Sequence, residues 1–135
     1  MNYLLDTCVI SDFFKKEPST IANFENVSPS QLYISTITAM EIEYGLKLHA
    51  EREKKIRPLW TSLLKLIQVV PFCLECAVAA SLVRAHLKTS GQPIGPYDIL
   101  IGATALTHKH QLVTSNMKEF NRISGLKVED WRNFL

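Results

Sequence analysis

Residues 3–10 read YLLDTCVI and place a single acid, Asp6, between two apolar runs near the start of the chain. An ionised carboxylate is costly to bury among Leu and Val unless it has a partner. The run before Asp6 predicts a short buried strand over residues 2–5, and the run after it predicts a helix over 9–15. A strand that ends on an acid at a helix start is typical of parallel α/β sheets, whose sites lie beyond the carboxyl ends of the strands.

The rest of the chain alternates short apolar strands with helical patterns. Strands are predicted over 31–35, 67–71 and 111–115, with a last one around Lys127 and Val128. Helices are predicted over 19–26, 38–49, 53–66, 74–87 and 96–108, with a short one within 117–123. This alternation favours an α/β fold, a three-layer sandwich with a central, mainly parallel sheet and helices on both faces.

Three of the predicted helices have informative apolar patterns. Two carry an apolar stripe at helical spacing: Met40, Tyr44 and Leu48 in the first, and Leu74, Val78, Leu82 and Ala85 in the second. The helix over 96–108 is apolar all round, which predicts a buried central helix. In the helix over 53–66, Pro58 predicts a start or a kink.

Length and composition indicate one soluble domain over residues 1–135. The chain is 47% hydrophobic and 21% charged, which suits a globular core and argues against disorder. Three cysteines give no disulfide framework and fit a reducing compartment. We read no signal peptide and no membrane span, and expect a cytoplasmic protein. A net charge of +2 permits a nucleic-acid partner without requiring one.

Three acids stand beside the most apolar segments: Asp6 after the first strand, Glu41 in a helix after the second, and Asp98 at the start of the all-apolar helix. Each has a structural explanation, because Asp6 can cap a helix, Glu41 can close a capping box with Thr38, and Asp98 can sit in a first helical turn. Capping does not explain why all three lie beside apolar segments. A parallel sheet would bring them to one edge.

Carboxylates gathered in a dry cleft repel one another, so some take protons or a cation sits between them. An all-oxygen site suits Mg²⁺ or Mn²⁺ rather than zinc. The chemistry that fits is metal-assisted hydrolysis of a phosphodiester, which needs no Ser, His or Cys nucleophile.

Four segments resemble the PIN-domain ribonucleases and, among them, the VapC toxins of bacterial toxin–antitoxin pairs. They are LLDTCVIS at 4–11, ISTITAMEIEYGL at 34–46, GQPIGPYDILIGATAL at 91–106 and LVTSNMKEFNRISGLKVEDW at 112–131. The third and fourth resemble the VapC subgroup that cuts initiator tRNA in its anticodon loop. The resemblance implies a single PIN domain over residues 1–135 and an acidic pocket that binds Mg²⁺ or Mn²⁺.

The resemblance also implies roles for particular residues. Asp6, Glu41 and Asp98 are the catalytic, metal-holding acids, and Thr7, Ser115 and Asn116 support them. The family often has a fourth acid where this chain has Asn116, so we expect a second metal to be weak or absent. Glu119 is interpreted as part of a helix cap with Asn116. Cys8, where the family commonly has Asn or Ser, is assigned no catalytic role.

The resemblance further implies an endoribonuclease toxin that cuts RNA, with tRNA as the expected target, and inhibits translation unless a VapB-type antitoxin binds it. A homodimer is expected, with operator DNA bound only through the antitoxin and no membrane partner. Two alternatives remain: a non-catalytic PIN-like binding module, and a phosphotransfer domain that uses Asp6. Against the second, Cys8 stands where a haloacid-dehalogenase-type motif needs an acid.

Three other groups of residues were considered for function. Cys73 and Cys76 form a C-x-x-C without a second pair and are interpreted as core or helix-start thiols. His108 and His110 are two positions apart and are expected to be solvated at a helix end. Six basic residues are candidates for an RNA-binding surface, although the sequence does not place them on one face: Lys15, Lys16, Arg84, Lys88, Lys118 and Arg122.

Overall fold

The computed structural model describes residues 1–133, which form a five-stranded sheet and seven α-helices. The strands are β1 (Tyr3–Leu5), β2 (Leu32–Ser35), β3 (Gln68–Val70), β4 (Gln111–Val113) and β5 (Val128–Glu129). The helices are α1 (Thr7–Phe14), α2 (Pro18–Asn26), α3 (Thr36–Lys47), α4 (Ala50–Leu66), α5 (Leu74–Thr89), α6 (Pro96–His108) and α7 (Met117–Phe120). Short 3₁₀ turns occur at Pro29–Gln31 and Trp131–Asn133.

All neighbouring strands of the sheet are parallel, in the order β3-β2-β1-β4-β5. The first strand of the chain is therefore the central strand of the sheet. Its register pairs Leu4 with Tyr33 on one side and Leu5 with Val113 on the other. Because every strand points the same way, the segments that follow β1, β2 and β4 all leave from one edge, which brings their polar residues together.

Two hydrophobic clusters cover the two faces of the sheet. Leu5 and Val113 belong to the cluster that includes Trp60 of α4, whereas their neighbours Leu4 and Leu112 belong to the cluster formed with α5 and α6. Successive residues of a strand point to opposite faces, so a strand buried on both faces must be apolar throughout. This arrangement confirms the predicted α/β sandwich with helices on both sides of a parallel sheet.

The predicted elements all occur, with ends shifted by a few residues. The largest shift is at α4, which begins at Ala50 instead of residue 53. Pro58 lies inside that continuous 17-residue helix, so the prediction that it starts the helix is wrong. The predicted single domain covers residues 1–135. Its last two residues, Phe134 and Leu135, lie outside the described residues. No helix within residues 1–133 combines the length and the apolar character that a membrane span requires.

The two predicted apolar stripes face outward instead of into the core. On α5, Leu74, Val78 and Leu82 are 81%, 54% and 69% exposed. The buried positions of α5 are Cys76, Ala80 and Leu87. On α3 the stripe is likewise exposed, and the buried residues are Thr38, Ile42 and Leu46. The buried face of each helix includes small or polar residues, Cys76 and Ala80 on α5 and Thr38 on α3, and hydrophobic periodicity alone does not detect such positions.

The prediction that His108 and His110 are both solvated is wrong for His110. Helix α6 ends at His108, and Lys109 adopts a left-handed conformation with φ of 57°. This turn folds the chain back, so that the His110 ring lies 5.6 Å from that of His108 and 4.3 Å from that of Tyr33. His110 is buried, and its Nδ1 has no hydrogen-bond partner among the described residues.

Candidate active site

Polar residues from four elements meet at the carboxyl edge of the sheet. Asp6 follows β1, Glu41 lies in the second turn of α3, and Asp98 lies in the first turn of α6. Residues 114–116 follow β4, the strand next to β1. The hydrogen bonds described below connect these segments, so the three acids predicted from the sequence lie in one site.

Asp6 is held by donors on both of its carboxylate oxygens. It is the N-cap of α1, and its Oδ1 accepts a hydrogen bond from the Thr7 backbone N–H at 2.8 Å. Its Oδ2 accepts from the Thr114 hydroxyl at 2.8 Å and from the Cys8 thiol at 3.6 Å. The side chain is 5% exposed. Burial raises the pKa of Asp6, and these hydrogen bonds oppose the rise because they favour the ionised form.

Glu41 is oriented by Thr7 and does not cap its own helix. The Thr7 hydroxyl donates to Glu41 Oε1 at 2.6 Å. The N-cap of α3 is Ser35, whose hydroxyl accepts from the Thr38 backbone N–H at 3.0 Å. The predicted capping box of Thr38 and Glu41 is therefore wrong, because the helix begins two residues before Thr38. This leaves the Glu41 carboxylate available to the site.

Asp98 lies close to the other acids, and their negative charges help to raise its pKa. Burial is the main cause that raises its pKa to about 7, and the negative charges of Asp6, Glu119 and Glu41 add to the effect. A carboxyl group with such a pKa is partly protonated at neutral pH in the absence of a cation. Four carboxylates therefore share the electrostatic environment of one site.

Glu119 belongs to this group of acids, which corrects its interpretation as part of a helix cap. Asn116 is the N-cap residue of α7 but makes no capping hydrogen bond with its side chain. Its Nδ2 instead lies 3.2 Å from Glu119 Oε2 and 3.4 Å from Asp98 Oδ2. The amide thus sits between two carboxylates. Glu119 is one helical turn after Asn116, and this short helix directs it back to the site.

Thr114 is a site residue that the sequence analysis did not identify. It is completely buried, donates to Asp6, and accepts a hydrogen bond from the Asn116 backbone N–H at 2.9 Å. Its position directly after the apolar run of β4 was the available signal, because it matches the position of Asp6 after β1. Thr114 therefore ties the two neighbouring strand ends together.

Ser115 and Cys8 form a separate pair at the back of the site. The backbone N–H and the hydroxyl of Ser115 both point to Cys8 Sγ, at 3.4 and 3.3 Å. Within residues 1–133, Ser115 makes no hydrogen bond to an acid, and Cys8 links it to Asp6. Burial, followed by the charge of Asp6, raises the pKa of the Cys8 thiol, so it remains a neutral donor. The Cys8 thiol therefore helps to position the Asp6 carboxylate.

The donor set fits a hard cation that keeps most of its water. Within residues 1–133, no three acidic, His or Cys side chains are arranged as a complete ligand group. Thr7, Thr114 and Asn116 hold the carboxylates at separate positions. Mg²⁺ needs only one or two carboxylates together with water and substrate phosphate, and a cation would relieve the repulsion that raises the pKa of Asp98.

Three of the six candidate basic residues lie near one loop, the segment before α6. Arg84 and Lys88 of α5 line a groove together with Pro93 and Tyr97. Arg122 donates to the Pro93 backbone carbonyl at 3.0 Å and so lies near the same loop. Lys15 and Lys16 follow the last turn of α1, and Lys118 is exposed on α7. Arg84, Lys88 and Arg122 therefore lie around the loop that leads to Asp98.

The chain belongs to the PIN-domain family, whose family model matches residues 3–126. This match covers every acid and hydroxyl of the site described above. It confirms the family predicted from the sequence.

Within that family, the chain is similar to VapC proteins over nearly its whole length. It is 31% identical over 131 residues to the tRNA(fMet)-specific endonuclease VapC of Salmonella typhimurium, covering 97% of this chain and 98% of that protein. It is 32% identical over 133 residues to Ribonuclease VapC2 of Rickettsia felis, covering 97% and 98%. These relatives confirm the predicted likeness to the VapC ribonucleases.

Solved structures agree with this assignment. The DNA-bound VapBC complex of Salmonella typhimurium contains a chain with a TM-score of 0.85 and 32% identity, covering 97% of this chain and 98% of that one. FitAcB of Neisseria gonorrhoeae gives a TM-score of 0.88 at 28% identity, with 98% and 99% covered. The likeness therefore extends to the three-dimensional fold.

Proposed function

We propose that this chain is a metal-dependent endoribonuclease toxin of the VapC type, which hydrolyses phosphodiester bonds of tRNA and thereby inhibits translation. The convergence of Asp6, Glu41 and Asp98 at one sheet edge is the observation that carries the proposal. It is supported by relatives that are named ribonucleases, among them the tRNA(fMet)-specific endonuclease of Salmonella typhimurium. Initiator tRNA, cut in its anticodon loop to leave a 3′-hydroxyl and a 5′-phosphate, is the proposed substrate.

Asp6, Glu41 and Asp98 would hold Mg²⁺ or Mn²⁺, which supplies a Lewis acid for the phosphoryl oxygens and for the attacking water. Carboxylate oxygens are the ligands that these cations prefer. Asn116 offers an amide oxygen without charge, and Glu119 supplies a fourth carboxylate beside Asp98.

The chain's own residues prepare the acids for this task. Hydrogen bonds from Thr114 and from the backbone N–H of Thr7 favour the ionised form of Asp6 and fix its orientation, while the Thr7 hydroxyl orients Glu41. Burial and the neighbouring negative charges raise the pKa of Asp98 to about 7. A cation held by these acids would favour the ionised form of Asp98, so its binding would be accompanied by loss of a proton.

The proposed partner is a VapB-type antitoxin. Several structural neighbours are toxin–antitoxin complexes, and those of Rickettsia felis and Salmonella typhimurium are bound to DNA. We propose that the antitoxin places a basic side chain among the acids, since an Arg or Lys pairs strongly with carboxylates that lack other cations. The complex would contact operator DNA through the antitoxin, the chain would form a homodimer, and the protein would act in the cytoplasm as a single PIN domain.

The decisive experiment is cleavage of a tRNA pool by the purified chain with Mg²⁺, with Mn²⁺ and with EDTA. We expect site-specific cutting that EDTA abolishes. Asp98→Asn should lose cleavage while its circular-dichroism spectrum and melting temperature stay close to wild type. Asp6→Asn should behave alike, because Asn is as good an N-cap as Asp and so preserves α1. Wild-type cleavage by these variants would refute the assignment of the site.

The alternatives differ in what this experiment yields. A non-catalytic binding module would bind RNA or protein but cut nothing in any metal. For phosphotransfer through Asp6, the carboxylate would have to act as a nucleophile. Both of its oxygens already accept hydrogen bonds, and the side chain is buried, which disfavours attack on a phosphoryl group. The nuclease function agrees better with this environment.

A further inference from the structure

A small groove extends from the acids along α1, α3 and the start of α4. Thr7 and Glu41 lie at one end of it, and His49 and Arg52 line it as well. The remaining lining residues are Ser11, Phe14, Ile42, Gly45, Leu46 and Leu48. Phe14, Ile42 and Leu46 are buried, and the accessible wall carries both apolar surface, including Leu48, and the polar groups of Ser11, His49 and Arg52. The groove therefore connects the proposed catalytic acids with a positively charged side chain.

Arg52 is the cation of this region that is free to meet a ligand. Arg57 is held by Glu43 at 2.7 Å and by Glu53 at 2.8 Å, and Lys47 is held by Glu43 at 3.2 Å. Arg52 is exposed and makes no ion pair or side-chain hydrogen bond within residues 1–133. The Ser11 hydroxyl and the His49 ring also lack hydrogen-bond partners in this described part of the chain, and His49 does not cap α4 with its side chain.

The polar groups of the groove favour a phosphate-bearing partner. A guanidinium group pairs well with a phosphate, through two parallel hydrogen bonds. Arg52, together with the Ser11 hydroxyl and the His49 ring along the same groove, fits the backbone of a nucleic-acid strand.

We propose that this groove binds the backbone of the RNA substrate beside the bond to be cut, with Arg52 holding a phosphate and Ser11 and His49 supplying hydrogen bonds. This inference rests on the proposed ribonuclease function, because the acids at the end of the groove define where the strand is cut. In this arrangement the RNA strand extends from Glu41 at the catalytic site towards Arg52 at the start of α4. The contacts are to the backbone, so they position the strand and do not read its sequence.

The test is binding of fluorescently labelled tRNA, measured by anisotropy in EDTA at several KCl concentrations. Arg52→Ala should weaken binding about tenfold and reduce the slope of log affinity against log salt by about 0.7, the value for one phosphate contact on a single strand. Lys54→Ala is the matched control, because Lys54 is exposed on the same helix but does not line the groove. It removes the same charge and should leave both quantities near wild type.

A second variant blocks the groove without changing the charge. Gly45 lies inside α3, and a Cβ added there would meet no atom within 4 Å. Gly45→Leu should therefore fold normally, with a gain in helix propensity, and weaken tRNA binding with an unchanged salt slope. The inference is overturned if Arg52→Ala matches Lys54→Ala in tRNA affinity and salt slope, or if Gly45→Leu binds tRNA like wild type. Failure of the wild type to cut or bind RNA would instead overturn the proposed function.

Discussion

Thr7 and Glu41, 34 positions apart in the chain, are joined by a hydrogen bond of 2.6 Å from the hydroxyl to the carboxylate. The backbone N–H of the same Thr7 donates to Asp6. One residue at the start of α1 therefore orients two of the three predicted acids. It does so with two different groups, which mutation can separate.

Replacing Thr7 by Val should lower RNA cleavage about 10- to 100-fold, the usual effect of losing a residue that orients a ligand. Val keeps the shape and the backbone N–H that caps Asp6 but removes the donor to Glu41. Thr7→Ser keeps the hydroxyl and should retain most activity. The measurement is initial cleavage rates with Mg²⁺, and equal rates for Val and Ser would show that the Glu41 contact is unimportant.

Replacing Thr114 by Val should reduce both stability and activity. The substitution leaves Asp6 Oδ2 and the Asn116 backbone N–H without their buried partner, which costs about 1–3 kcal/mol of the free energy of unfolding. Urea denaturation would measure this cost, and cleavage assays the loss of activity. Thr114→Ser preserves the hydroxyl and is the control. A Val variant as stable as the Ser variant would contradict the role assigned to this hydroxyl.

Cation affinity should rise with pH up to about 7 and then level off. Asp98 has its pKa raised to about 7, whereas the ordinary value is 3.8, and a cation binds the ionised form. Between pH 3.8 and about 7, and without metal, Asp98 is protonated in the folded protein but ionised in the unfolded chain. The free energy of unfolding therefore decreases as the pH rises through this range. Calorimetric titration with Mn²⁺ from pH 5.5 to 8 tests the affinity. Asp98→Asn should lose most of the pH dependence, and a flat wild-type profile would refute the prediction.

Replacing Glu119 by Gln should move this pH profile to lower pH. Glu119 raises the pKa of Asp98 through its charge and a hydrogen bond, and the amide removes the charge. The converse variant, Asn116→Asp, adds a carboxylate next to Asp98 and should move the profile to higher pH. Both midpoints come from the same Mn²⁺ titrations. If the two variants shift in the same direction, electrostatic repulsion does not set the ionisation of Asp98.

A prediction about stability concerns Arg132, which lies far from the acids in sequence. Its guanidinium makes two hydrogen bonds of 2.7 Å to the carboxylate of Asp12, a buried residue of α1. Arg132→Ala should cost about 1–3 kcal/mol, since it leaves a buried carboxylate unpaired. Thermal or urea unfolding measures the loss. Arg84→Ala, on an exposed arginine of α5, is the control and should change stability little. Equal losses in the two variants would contradict the role of the Asp12–Arg132 pair.

The fold and the three acids could be predicted because both depend on local patterns. Strands buried on both faces read as short apolar runs, and an acid directly after such a run stands out, as Asp6 does in YLLDTCVI. The parallel order then places helix starts at the same edge. Asp98 at the beginning of an all-apolar helix followed from the same reasoning.

The remaining features depend on close contacts that a pattern does not contain. Thr114 looks like an ordinary strand residue until its hydroxyl is seen beside Asp6. The exposed stripe of Leu74, Val78 and Leu82 has the same periodicity as a buried face, and only the packing of α5 through Ala80 distinguishes the two. The three-residue spacing of Asn116 and Glu119 is typical of a helix cap. The same spacing also allows the contact that the two side chains make in the site.

The central position of β1 has a consequence for synthesis of the chain on the ribosome. Asp6 is made before Glu41 and Asp98, yet its strand must pair with β2 on one side and with β4 on the other, and the Thr114 hydroxyl directly follows β4. A nascent chain that ends before β4 contains Asp6, Glu41 and Asp98 but cannot hold them in place. The molecule therefore gains its complete site only after β4 and Thr114 have been made.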